Sequence, residues 1–159
     1  MALRRLFVSA LAVCLTLVVA PRTTTAAASG RTAVMATVRQ FVDGFNKGDE
    51  KAMIAACTSP ASIVDDFPPH HWYGPTACAD WLHAYDADAA KNGIAGGVVT
   101  MGTPWHDEVT GDWAYFVDPV RYVYTQHGKP VVESGSVFTV VLHKVAAGWR
   151  IAAWTWAQH

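Results

Sequence analysis

Between Ser62 and Gly74 the chain reads Ser-Ile-Val-Asp-Asp-Phe-Pro-Pro-His-His-Trp-Tyr-Gly. Two carboxylates (Asp65, Asp66), two imidazoles (His70, His71) and three rings (Phe67, Trp72, Tyr73) crowd into this one stretch. Carboxylates and imidazoles move protons near neutral pH, and aromatic rings grip apolar molecules. A short β-run that ends at Asp65 turns into a proline-stiffened loop, and a site in this protein would have one wall here. Loss of water there favours the neutral carboxyl and brings its pKa into the range of a usable base. Asp65, helped by His70, is the candidate catalytic pair. The blander account of Asp65 is a turn or cap carboxylate. Asp66 would point the other way if the strand continued. His70 and His71 are adjacent, so their side chains diverge and make a poor chelate. With His83 and His106 they match no metal-ligand spacing. The sequence carries no nucleotide loop and no nucleophile elbow. Neither a metal nor a cofactor is expected.

The aromatic residues extend this site beyond one loop. Phe41, Phe67, Trp72, Trp81, Tyr85, Trp105, Tyr115, Tyr122 and Trp154 are the candidate ligand-binding set. Tyr122 and Tyr124 share one face of their strand, as do Trp154 and Trp156 of theirs, because strand side chains alternate. Rings with polar tips suit a small hydrophobic molecule with a few oxygens. The alternative is that the Trp154–Trp156 pair faces outward and buries a homodimer interface.

The elements that must position these residues follow from periodicity. Val34, Val38, Phe41, Val42 and Phe45 recur at helical spacing and predict an amphipathic helix over 32–47, ended by Gly48. Asp49 is suited to N-cap a second short helix to about Ala56. Pro60 then separates that helix from a first strand over 61–65. Gly74-Pro75-Thr76 opens a third helix carrying Trp81, Leu82 and Tyr85, stopped at Asn92-Gly93. The rest is strand-like: 94–103, 113–126, 131–145 and 149–158, with Asp118-Pro119 predicting a bulge or an edge. Three helices followed by a long-stranded antiparallel meander is an α+β pattern.

The first 28 residues read as a signal peptide. Arg4 and Arg5 precede an apolar run over 6–20, and Ala26-Ala27-Ala28 fits a cleavage site. That run is shorter than the roughly 20 residues of a membrane span. The protein is therefore expected to be exported, periplasmic or secreted, as a single domain over 29–159 with no membrane contact after cleavage. Losing Arg4, Arg5 and Arg22 from the 12 Lys and Arg, against 13 Asp and Glu, leaves a net charge of about −4. A mildly acidic chain without a basic patch argues against nucleic acid as a partner. Cys57 and Cys78 remain, and an even pair in an exported chain reads as a disulfide closing the loop around the candidate site.

Three motifs carry a family resemblance. Phe41-Val42-Asp43-Gly44-Phe45-Asn46-Lys47-Gly48-Asp49 is similar to a helix-end signature of the nuclear-transport-factor-2-like superfamily. Ser62-Ile63-Val64-Asp65 with the later Gly74 resembles its first strand and loop, and Gly148-Trp149-Arg150-Ile151 its last hairpin. The resemblance, to the SnoaL-like and ketosteroid-isomerase-like branch, implies a cystatin-like cone: a curved antiparallel sheet packed on three N-terminal helices around an apolar pocket. In ketosteroid isomerases an Asp at the end of the first strand shuttles the proton, and Asp65 stands there. The remaining isomerase groups do not carry over. Phe41 occupies the place of the oxyanion-stabilising Tyr, and the stretch 138–142 contains no acid. His106 and His143 are candidates to substitute. Three functions follow: a binding protein for a small hydrophobic molecule, a cofactor-independent isomerase, cyclase or dehydratase using Asp65, and a dimerisation or partner-docking module.

Overall fold

The computed structural model describes the backbone of residues 23–158 and side chains from residue 30. Most of the expected signal segment lies outside the described residues. Helix α1 (Thr23–Lys47) is followed by α2 (Glu50–Ala55), β1 (Cys57–Val64), β2 (His71–Gly74) and α3 (Ala77–Lys91). Strands β3 (Ile94–Met101), β4 (His106–Thr110), β5 (Trp113–Gln126), β6 (Lys129–Val145) and β7 (Gly148–Ala157) complete the chain. The sheet order is β2-β1-β7-β6-β5-β3, with β4 pairing β5 beside β3. Every pair is antiparallel except β1 with β7, which run parallel where an antiparallel sheet was expected throughout.

The helices fill the concave side. Val34, Val38, Phe41 and Val42 form the buried stripe of α1, against a sheet face carrying Ile63, Phe116, Val140, Leu142 and Ile151. Thr37 ties α1 to β7 by donating to the Trp149 carbonyl at 3.3 Å. At the other end of α1, Asn46 takes the part of a neighbouring strand. Its Nδ2 donates to the Val99 carbonyl at 2.8 Å, and its Oδ1 accepts from the Val99 N–H at 2.7 Å. Asp49 caps α2 as predicted, accepting from Ala52 N–H at 2.9 Å. The disulfide Cys57–Cys78 joins β1 to the first turn of α3.

Two expectations are corrected. Strand β1 begins at Cys57, so Pro60 lies inside it, at a register shift in the pairing with β7. Strands β2 and β4, of four and five residues, formed no separate element in the sequence reading. The bulge or edge expected at Asp118-Pro119 is present: a register shift against β6 follows between Val120 and Arg121, and the opposite flank of β5 is unpaired at Pro119. On that flank β5 passes from β4 to β3: the last β4 partner is His106 opposite Val117, the first β3 partner Met101 opposite Val120. Pro119 falls in the gap, where its missing N–H is not needed and its carbonyl accepts from Gly102 N–H at 3.0 Å.

Candidate functional site

Asp65 follows the last residue of β1 and is 8% exposed. Its Oδ2 accepts the indole N–H of Trp81 at 2.7 Å, and its Oδ1 the N–H of Asp66 at 2.8 Å. Burial pushes its pKa up from 3.8 to about 7, against the two hydrogen bonds, which pull it down. Trp81 reaches Asp65 because the disulfide holds Cys78, one helical turn earlier on α3, beside β1.

Asp65 opens onto a cavity of about 180 Å³. Helix α1 contributes Phe41, Val42 and Phe45 to its wall, and α3 contributes Trp81, Tyr85, Asp88 and Ala89. Asp66 and Phe67 come from the loop after β1, and Ile94 and Val99 from β3. The inner face of the sheet adds Tyr122, Glu133, Phe138, Trp154 and Trp156, with Gln158 beyond β7. The rings pack on one another: Trp81 meets Trp154 edge-on at 4.8 Å, and Phe45 meets Tyr85 at 5.1 Å. The hydroxyls of Tyr85 and Tyr122 are hydrogen-bonded to each other in the same wall. Burial raises the pKa of both above the ordinary tyrosine value, so both are neutral donors at physiological pH.

Of the residues expected here, Phe41, Asp65, Phe67, Trp81, Tyr85, Tyr122 and Trp154 line the cavity together. Trp72 does not; it is buried behind Phe67, with ring centroids 5.0 Å apart. Trp105 is 60% exposed and Tyr115 45% exposed, and neither lines the cavity. Tyr115 alternates with the inward Ala114 and Phe116, which turns it to the convex face beside His106. His70 is exposed, and its Nδ1 lies 3.1 Å from the Asp65 main-chain carbonyl rather than the carboxylate. His143 stacks on Trp113 at 4.2 Å, away from the cavity. The pair Trp154 and Trp156 points inward, so it is not an outer-face interface.

Sequence reasoning missed Phe45, Asp88, Glu133 and Phe138 as wall residues, and left Trp156, with Trp154, open between the cavity and the outer face. Inward alternation on β6 was the available signal for Glu133 and Phe138, once the register shift between Val120 and Arg121 is allowed for. It also missed Asp118, fully buried on the inner face of β5 with neither carboxylate oxygen hydrogen-bonded to a described residue. Burial pushes the Asp118 pKa from 3.8 to about 6, with the nearby Gly102 N–H pulling the other way. Among the described residues no cluster of His, Cys, Asp and Glu could hold a metal ion, and no helix is long and apolar enough to cross a membrane.

No family model and no curated protein matches the sequence. Solved structures do. A hexachlorocyclohexane dehydrochlorinase of type 2 superimposes with a TM-score of 0.70 at 11% identity, covering 83% of this chain and 86% of that one. A protein with a cystatin-like fold from Novosphingobium aromaticivorans gives 0.66 at 16% identity, covering 82% of each chain. A ketosteroid isomerase-like protein from Erwinia carotovora atroseptica gives 0.63 at 17% identity, covering 80% of this chain and 94% of that one. These identities carry the fold and nothing finer. The chain therefore has the fold of solved structures named as nuclear-transport-factor-2-like.

Proposed function

We propose that this chain is an exported protein that binds a small, ring-sized apolar molecule in the aromatic cavity. The observation that carries the reading is the cavity itself: about 180 Å³ walled by Phe41, Phe45, Trp81, Tyr85, Phe138, Trp154 and Trp156. An apolar cavity of about 150 Å³ is enough to hold benzene. One substituted ring fits that scale, and a four-ring steroid does not. Export is supported by the signal-like start of the chain and by the Cys57–Cys78 disulfide. The test is a titration of one-ring compounds, neutral, cationic and anionic, followed by tryptophan fluorescence. Saturable quenching by at least one of them is expected, with none from a tetracyclic steroid. If no one-ring compound quenches saturably, the reading fails.

A second reading rests on Asp65. A carboxyl with its pKa near 7 at the edge of an apolar cavity is matched to taking and returning a proton at neutral pH. The neutral Tyr85–Tyr122 hydroxyl pair could donate to the oxygen of an enolate formed there. Structures of this fold include a protein named as a dehydrochlorinase and one named as ketosteroid isomerase-like. The check is deuterium exchange at the α-carbon of cyclohexanone in D2O, followed by NMR. Exchange is expected to rise with pH through about 7, as Asp65 ionises, and to be lost in Asp65→Asn. Equal exchange by wild type and variant would dispose of the catalytic role.

A further inference from the structure

The charges around the cavity are all of one sign. Asp65, Asp66, Asp88 and Glu133 line it, and none of the described lining residues is Lys, Arg or His. None of these four carboxylates forms an ion pair with a described residue, although Asp43 and Asp107 do; Asp65 accepts from Asp66 N–H and Trp81, and Asp88 from Asn92, all neutral donors. Their field reaches the polar tips inside. Burial is the first cause of the raised pKa of Tyr85, Tyr122 and Tyr124, and Glu133 adds to it in all three. Aromatic faces bring negative potential of their own and attract cations, more strongly when water is excluded.

From this we infer that the ligand is a small organic cation, a ring-sized alkylammonium or aromatic ammonium, seated among the rings with the unpaired carboxylates around it. The inference rests on reading the cavity as a binding pocket and names the ligand class that pocket selects. A carboxylate or phosphate ligand would enter against Asp66, Asp88 and Glu133, and against Asp65 whenever it is ionised, with no cation among the described lining residues. A neutral ligand would fit the rings but would leave the one-sided charge without a use.

The experiment compares two molecules of nearly the same shape. The (3-hydroxyphenyl)trimethylammonium ion and 3-tert-butylphenol each present one ring, one hydroxyl and one bulky head, and they differ in charge alone. Each is titrated into the full protein at pH 7.5 and low salt, with calorimetry and tryptophan fluorescence as readouts. The cation is expected to bind about tenfold tighter than its carbon isostere. Glu133→Gln should weaken the cation several-fold and leave the phenol unchanged. Equal or tighter binding of the phenol overturns the charge preference while keeping the pocket. Binding of neither overturns the pocket and the charge preference together. A Glu133→Gln variant that weakens both molecules equally would mean that Glu133 acts through shape, and would also count against the proposal.

Discussion

At the scale of single residues, Asp65 is decided by two opposed effects. Burial raises its pKa, and hydrogen bonds from Asp66 N–H and the Trp81 indole lower it, leaving it at about 7. The Trp81 donor stabilises only the charged form, so its loss should move the pKa further up. In Trp81→Phe the ring remains and the donor goes. A hydrogen bond to a charged group contributes about 1.5–3 kcal/mol, so the Asp65 pKa should rise by about one unit or more. A carbon-13 NMR titration of the carboxyl in wild type and variant checks this, and an unchanged or lower midpoint would contradict it. Asp65 itself was legible, because a carboxylate at the end of a β-run before a proline corner stands out locally. Its partner was not. Trp81 lies 16 residues away, and only the folded path of β2 and α3 brings its N–H to the carboxylate. His70 shows the converse: nearness in sequence placed its ring on a main-chain carbonyl.

At the scale of elements, the sequence was most informative where a pattern runs long. Helix α1 was legible from five apolar residues at helical spacing, and β5 from its alternation. The short strands were lost because four or five residues, such as His71–Gly74, hold too little alternation to stand apart from a loop. Close approaches between elements were also out of reach. Gly97 of β3 lies against the ring and hydroxyl of Tyr122, and a methyl group there would overlap them. The glycine therefore lets Tyr122 settle near the β3 backbone, where it meets Tyr85 of α3. In Gly97→Ala the Tyr122 ring must move, and the hydroxyl pair should part. The expected loss is about 1–3 kcal/mol of stability from overpacking, together with weaker binding of any cavity ligand. Urea denaturation and ligand titration read the two effects. A variant as stable and as tightly binding as wild type would show that Tyr122 is not held in place by this contact.

At the scale of the whole molecule, element order was enough to reach the α+β class, and the curved sheet over the helices came from the resemblance carried by three short motifs. What a sheet encloses is a different matter, since it depends on which of two strand faces turns inward and where register shifts occur. Trp154 and Trp156 could not be assigned a face from alternation alone, and Asp118 drew attention only as the neighbour of a proline. Yet Asp118 bears on the stability of the whole fold. Folding moves its pKa from 3.8 to about 6, so the native state holds the proton more tightly than the unfolded chain. Stability is then unimpaired below pH 4, falls as pH rises from about 4 through 6, and levels off above. The fall is about 3 kcal/mol for a shift of this size. Asp65 acts in the same direction over a window reaching about 7. In Asp118→Asn the amide cannot ionise, and any cost of burying it does not change with pH. The difference between wild-type and variant unfolding free energies should therefore tilt toward the variant between pH 4 and 6 and stay constant above. Urea denaturation at pH 4.5, 6 and 8 tests it. Because the histidines and Asp65 are common to both proteins, their titrations cancel in the difference, and a difference independent of pH would mean that Asp118 meets water or a partner in the folded protein.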